Sequence, residues 1–340
     1  IAGALTRMGS SLTQTFSPIF VGALILASTA PFGFNSISML AEVWFSDNQR
    51  ATATSMMGSA DIIGALLTFG IQGVVSYNGY FQSGLSPEEI RRQTNALMFY
   101  EGILTIFIAF SLIVVMKEKP EHPPSRLAAE AKAEDLSIWK DVNTLLKNKN
   151  FVCLMLVYSI MYSVINAMMD AISPIFHPFY DKEDFISTIA IVQIITSMVT
   201  ELLAGPWLDK SKRYLCTLRS SVIASTAIAF LLIYIVPSGN YMLCTIGVSL
   251  AGLAVGPILP VGFDFSTQLT HPTPTPLVNG MLQMSEQVSE FLLSTTLVYL
   301  CEYNPKWALE SIFIVCLFAT FLSMFIKEDL KILRLEQRQG

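Results

Sequence analysis

Residues 117–135 read KEKPEHPPSRLAAEAKAED. Charge and proline crowd together here more densely than anywhere else in the chain, which is the composition of a solvated linker. To either side the sequence turns apolar. A bilayer core of about 30 Å needs roughly 20 mostly apolar residues to cross as a helix. Three such segments precede the linker, at 15–41, 50–76 and 96–116, and six follow it, at 150–176, 184–208, 214–236, 241–263, 276–301 and 306–326. Only helices satisfy their own backbone inside lipid, and segments of this length with interior Gly, Pro and Ser fit helices better than membrane strands. The expected fold class is therefore all-α, a polytopic membrane helix bundle. The expected division is a bundle remainder over 1–116, a linker over 117–149, a six-helix half over 150–326 and a tail over 327–340. Directly after the linker, LSIWKDVNTLLKNKN (136–150) alternates apolar and basic residues at helical spacing, predicting a helix on the membrane surface.

Composition agrees. Of all residues 52% are apolar and 14% charged, where a soluble domain carries nearer a quarter charged. A net charge of -5 and three histidines argue against a nucleic-acid partner or a histidine metal site. The cysteines Cys153, Cys216, Cys244, Cys301 and Cys316 stand singly in apolar runs and read as packing residues. No nucleophile–base arrangement, phosphate loop or metal-ligand spacing stands out, so no enzyme chemistry, metal or cofactor is expected.

Placing the linker in the cytoplasm and alternating sides from there tests the topology through the positive-inside rule. Of 21 Lys and Arg, only Arg7, Arg91, Arg92, Lys182 and Lys306 then fall outside. The other sixteen, counting Arg219 at a helix end, fall inside. Lys210, Lys212, Arg213 and the C-terminal tail agree without help from the linker.

Polar residues inside the spans form stripes at helical spacing. The 276–301 segment carries Asn279, Gln283, Glu286, Gln287, Glu290 and Ser294, and the 150–176 segment Tyr158, Tyr162, Asn166, Asp170 and Ser173. The 50–76 segment adds Thr54, Gly58, Asp61, Thr68 and Gln72, and the 184–208 segment Gln193, Ser197, Glu201 and Gly205. Such faces either line a water-filled cavity or bond to one another between helices. Asp61, Asp170, Glu201, Asp264, Glu286 and Glu290 have no Lys or Arg within the spans to offset them, apart from Arg219 near a helix end. A cavity lined by these acids would favour a cation or zwitterion.

Two further stretches are similar to family signatures. GPWLDKSKRY (205–214) resembles the loop of the major facilitator superfamily: a Gly, three residues, an Asp, then bases. The resemblance implies a gating role for Gly205, Asp209, Lys210, Lys212 and Arg213, although Lys212 stands where Gly is usual and Tyr214 where a base is usual. AEVWFSDNQRATATSMMGSADIIG (41–64) and LPVGFDFSTQLTHPTPTPLVNGMLQMSEQVSE (259–290) resemble the solute-carrier 49 branch, which contains the feline leukaemia virus subgroup C receptor-related proteins. That branch implies two six-helix halves, so that helices 1, 2 and most of 3 would precede this sequence, with residues 1–9 the stub of helix 3.

The branch further implies choline or ethanolamine as solute, with haem export also proposed for it. Its choline site joins aromatics on helices one and seven to glutamines on helices five and eleven. Gln287 matches the helix-eleven glutamine. The helix-five position holds Ile62 beside Asp61, and the helix-seven aromatic falls on Asn166, with Tyr158 and Tyr162 one and two turns away. Losing those members weakens an aromatic cage for a quaternary ammonium.

The expected function is transport of a small polar or cationic organic solute by alternating access, with Gln287, Asp61, Asn166, Asp170, Glu286, Tyr158 and Tyr162 as contacts. The expected partners are the lipid bilayer and the solute. The membrane is the plasma membrane or that of an organelle, mitochondria included. The alternative is a structural subunit that no longer transports and packs among other membrane subunits, which would follow if the polypeptide begins near Ile1.

Overall fold

The computed structural model describes residues 1–13, 15–46, 49–77, 86–115 and 138–331. Most of the predicted linker and the end of the tail lie outside these residues. The regular elements described are all helical. In chain order they are α1 (Ala2–Met8), α2 (Ser10–Thr13), α3 (Ser17–Trp44), α4 (Arg50–Tyr77), α5 (Pro87–Val115), α6 (Ile138–Lys147) and α7 (Lys149–Asp170). There follow α8 (Ile172–Phe176), α9 (Glu183–Ser211), α10 (Tyr214–Ile235), α11 (Tyr241–Val255), α12 (Ile258–Thr270), α13 (Thr275–Tyr303) and α14 (Pro305–Ser323).

Each of the nine expected spans falls on a helix or a broken pair of helices. Among the described residues, six stretches are long and apolar enough to cross a membrane: Pro87–Val115, Lys149–Asp170, Phe185–Ser211, Tyr214–Ser238, Tyr241–Thr270 and Pro305–Ser323. The other three, α3, α4 and α13, are 28, 28 and 29 residues long. Polar residues interrupt their apolar runs, among them Asn35, Glu42, Asp61, Glu286 and Glu290.

Local chemistry sets the ends. Asn148, Asn240 and Asn304 each accept from backbone N–H groups at the starts of α7, α11 and α14, which meets donors a helix start leaves unpaired. Ser86 and Glu89 cap α5 reciprocally, the Glu89 carboxylate accepting from the Ser86 N–H at 2.9 Å. That capping box starts α5 nine residues before the apolar run at 96. The chain breaks at Ala171 between α7 and α8, and at Gly256–Pro257 between α11 and α12. Proline cannot donate into a helix ladder, so the second break follows from its own residue type.

The chain divides into two compact units. One is Ile1–Gly33 with Ile63–His122, the other Phe34–Ile62 with Pro123–Gly340. In the first, α1 and α2 pack on α5, and Arg7 Nη1 meets Glu101 Oε1 at 2.7 Å. In the second, α7 is central and packs on α12, α13 and α14, while α9 packs along α11 and α10 along α14. Phe151, Leu154, Tyr158, Met161, Phe263 and Phe265 are fully buried in its core. Rings such as Phe291, Phe318 and Phe321 stay exposed, where a spanning helix would meet lipid.

Candidate functional site

The polar stripes of α7 and α13 face each other. The Tyr158 hydroxyl donates to Gln283 Oε1 at 2.9 Å. Ser159 and Ser285 share a short hydrogen bond. About two turns further along α7, the Asn166 amide donates to Glu286 Oε1 at 3.2 Å and to Glu290 Oε2 at 3.3 Å. At the far end the Ser294 hydroxyl donates to Asp170 Oδ2 at 3.0 Å. Residue numbers climb together on both helices, so α7 and α13 run parallel, as two helices separated by three crossings must. Of the two arrangements open from sequence, these two stripes take the bonded one along most of their length.

The ladder opens toward its end. Asp170, Gln287, Glu290, Phe291, Ser294 and Thr295 line a cleft of about 230 Å³. Glu286 is fully buried behind it, and the exposed Gln287 amide donates to Glu286 Oε2 at 2.9 Å. Tyr158 is buried, stacked on Tyr162 with centroids 5.6 Å apart and rings 8° from parallel. Asn166, Asp170, Glu286, Gln287, Tyr158 and Tyr162 are thus brought together. Asp61 lies on α4, with its side chain outside the described residues.

The second cluster lies where α9 ends. The Asp209 carboxylate accepts from the Ala51 N–H at 3.0 Å, the Thr52 N–H at 2.8 Å and the Thr52 hydroxyl. It therefore caps the first turn of α4, where unpaired N–H groups and the helix dipole both favour an anion. Gly205 makes the approach possible: a Cβ there would sit 2.7 Å from the Ala51 carbonyl oxygen and also collide with Ser55. Lys212 closes α9 with φ 53, in the left-handed region. Gly populates that region freely and other residues at a cost, which accounts physically for the Gly usual at this position. Lys210 and Arg213 are exposed beside it.

Sequence periodicity missed several partners. Arg50 Nη2 reaches Glu42 Oε2 at 3.7 Å and the Thr275 hydroxyl at 3.3 Å. Asp264 is buried beside Arg50 and Thr54. His271, just beyond α12, has its imidazole held below the ordinary value by burial and by the nearby cations Lys331 and Arg50, with Glu42 acting the other way. A basic residue opening one helix and an acid closing the helix before it (Glu42, Arg50) was the available signal. On the α9 stripe Gln193, Ser197 and Glu201 are buried, and Gln193 lines a small cavity of about 30 Å³. A Cβ on Gly252 would stand 2.6 Å from the Gln193 carbonyl, so this part of α9 packs against α11. The Glu201 carboxylate lies at Gly58 of α4.

The Major Facilitator Superfamily model matches residues 1–294. The choline/ethanolamine transporter FLVCR2 of Homo sapiens is 27% identical over 339 residues, covering 97% of this chain and 62% of the relative. An uncharacterized MFS-type transporter of Caenorhabditis elegans is 24% identical, covering 97% of this chain and 56% of the relative. The chain thus spans about three-fifths of the length of such relatives. Among solved structures, the MFS transporter FucP in the outward conformation superposes with TM-score 0.67 at 13% identity, covering 93% of this chain and 80% of that one. The proton:xylose symporter XylE gives 0.65 at 14%, covering 98% and 82%. At these identities the structural likeness speaks for the fold.

Proposed function

We propose that this chain, which belongs to the major facilitator superfamily, carries a small organic cation across a membrane by alternating access. The observation that carries the reading is the set of acids on α7 and α13. Glu286, Glu290 and Asp170 share one cleft region and meet amides and a hydroxyl. The ion pairs Arg7–Glu101 and Arg50–Glu42 lie elsewhere. Carboxylates in a membrane span are costly unless a cation or water compensates them. A solute carrying an ammonium group supplies that charge. The relatives named as choline/ethanolamine transporters lend support, as does the match of Gln287 to their helix-eleven glutamine. Asp61 is proposed as a further contact from α4, and Tyr158 and Tyr162 as the wall behind the acids.

In this reading residues 1–116 belong to one half of the bundle, 150–326 form the other, and the basic loop 210–213 lies in the cytoplasm. The Asp209 cap on α4 closes that side, and opening requires its hydrogen bonds to break. The relatives' names give the structural-subunit alternative no support. The test is uptake of labelled ethanolamine and choline by the native full-length protein in liposomes. Uptake of either solute, reduced more than about tenfold by Glu286→Gln, is expected. Transport of neither solute would refute the reading.

A further inference from the structure

We infer that the second unit holds a buried water site among its helices, built around Gln193 and separate from the cleft between α7 and α13. Gln193 lies on α9 and is 3% exposed. Its Oε1 is buried and meets no donor among the described residues. An amide oxygen in that position has given up its hydration without a replacement. Buried polar groups in folded proteins are paired with protein or with ordered water. The backbone gives the side chain little freedom to turn outward. A Cβ on Gly252 of α11 would stand 2.6 Å from the Gln193 carbonyl oxygen, so α9 is pressed against α11 at this residue.

The cavity that Gln193 lines measures about 30 Å³ and lies between α7, α9, α10, α11 and α14. About 10–15 Å³ of such space is enough for one water. A cavity with only apolar walls stays dry. Most of this wall is apolar, Met168, Ala229 and Leu232 among it, but Ser225 and Cys316 line it together with Gln193. The Ser225 hydroxyl donates to the Ser221 carbonyl at 2.8 Å, which leaves its oxygen lone pairs to accept. A water here donates one O–H to Gln193 Oε1 and the other to Ser225 Oγ, with the Cys316 thiol as a weak donor in return. Ordering one water costs less than leaving a desolvated oxygen unpaired. The water links α9, which packs along α11, to α10, which packs along α14. The site is independent of which solute the protein carries.

The test is X-ray hydroxyl-radical footprinting of the native full-length protein in nanodiscs, read by mass spectrometry with a radical scavenger in the bulk solvent. Irradiation makes radicals from any water, an enclosed one included, and these oxidise the nearest methionine sulfur. Met168 is 3% exposed and lines the cavity. Met161, about two turns earlier on α7, is fully buried in the core and serves as the reference. Met168 should oxidise while Met161 stays intact. Gln193→Leu, which keeps the bulk and removes the acceptor, should abolish that difference, and a thermal unfolding scan checks that the variant folds. Ser225→Ala, which removes the second partner, should lower Met168 oxidation as well. Met168 as protected as Met161 in the parent would overturn the site, whatever the variants do. Oxidation undiminished in the folded variants would overturn its assignment to Gln193 and Ser225.

Discussion

The second unit holds two groups of acids that are built differently. Where α9 ends, Asp209 receives two backbone N–H groups and a hydroxyl from α4, and Glu42 faces the guanidinium of Arg50. Along α7 and α13, Glu286, Glu290 and Asp170 receive only neutral donors. A carboxylate given a helix start or a cation has its charge answered by the protein, and so holds two elements together. A carboxylate given only an amide has part of its hydrogen-bonding capacity met and its charge left over. On the function proposed above, the first group latches and the second receives the solute.

The strongest way to break the latch is to keep its charges and remove its room. Gly205→Leu puts side-chain atoms where the Ala51 carbonyl and Ser55 now lie. Overpacking of this kind costs about 1–3 kcal/mol, so the contact between α9 and α4 should part in most molecules. A cysteine placed at Ser55, buried at present, should then label rapidly; unchanged labelling would mean that the helices reach the same contact another way.

A gentler break removes the charge alone. Asp209→Asn keeps the shape but weakens its hydrogen bonds to Ala51 and Thr52, by about 1.5 kcal/mol if each loses part of its charge assistance, or roughly tenfold in labelling of the same cysteine. Labelling equal to the parent would show that the cap does not hold the helices.

Lys212→Gly sharpens the contrast from the opposite direction. Lys212 sits at φ 53, and a non-glycine residue there costs about 1 kcal/mol, so the substitution should raise the thermal midpoint by a small, measurable amount. A lowered midpoint would mean that the Lys212 side chain stabilises the loop by more than the backbone strain.

The smallest effect concerns pH. His271 has its imidazole held below the ordinary 6.5 by burial and by Lys331 and Arg50. A depressed value means that the folded protein prefers the neutral ring, so its contribution is intact above pH 6.5 and is lost as acid protonates the ring. Thermal stability should dip slightly on acidification below that point, and His271→Gln should remove that part of the dip. An identical pH profile in the variant would exclude this histidine as its source.

Much of this architecture is legible in the sequence, because bilayer thickness fixes span length and hydropathy reports it. The nine apolar segments correspond to α3, α4, α5, α7 with α8, α9, α10, α11 with α12, α13 and α14. The misses have physical causes. Hydropathy finds the apolar part of a helix, so α5 begins at Pro87 rather than 96 because a polar capping box extends it. The span read as 241–263 runs to Thr270, with a break at Pro257. Periodicity assigns a residue to a face but not to a neighbour. Gln193, Ser197 and Glu201 therefore read as one polar face, and all three are buried, Gln193 beside a small cavity of about 30 Å³. The stripes of α7 and α13 were readable one at a time, whereas their pairing joins residues some 120 positions apart. Asp209 stood out through the resemblance of its loop to the family pattern; that it caps α4 was not readable.

The most direct test of the division between latch and receiver is equilibrium binding of ethanolamine to the full-length protein, followed by ligand-induced thermal stabilisation. The parent, Glu286→Gln and Asp209→Asn would be compared at one pH and salt concentration. The account predicts that Glu286→Gln weakens binding by more than about tenfold, while Asp209→Asn changes only the balance of conformations and still binds. Binding lost in Asp209→Asn and retained in Glu286→Gln would contradict it.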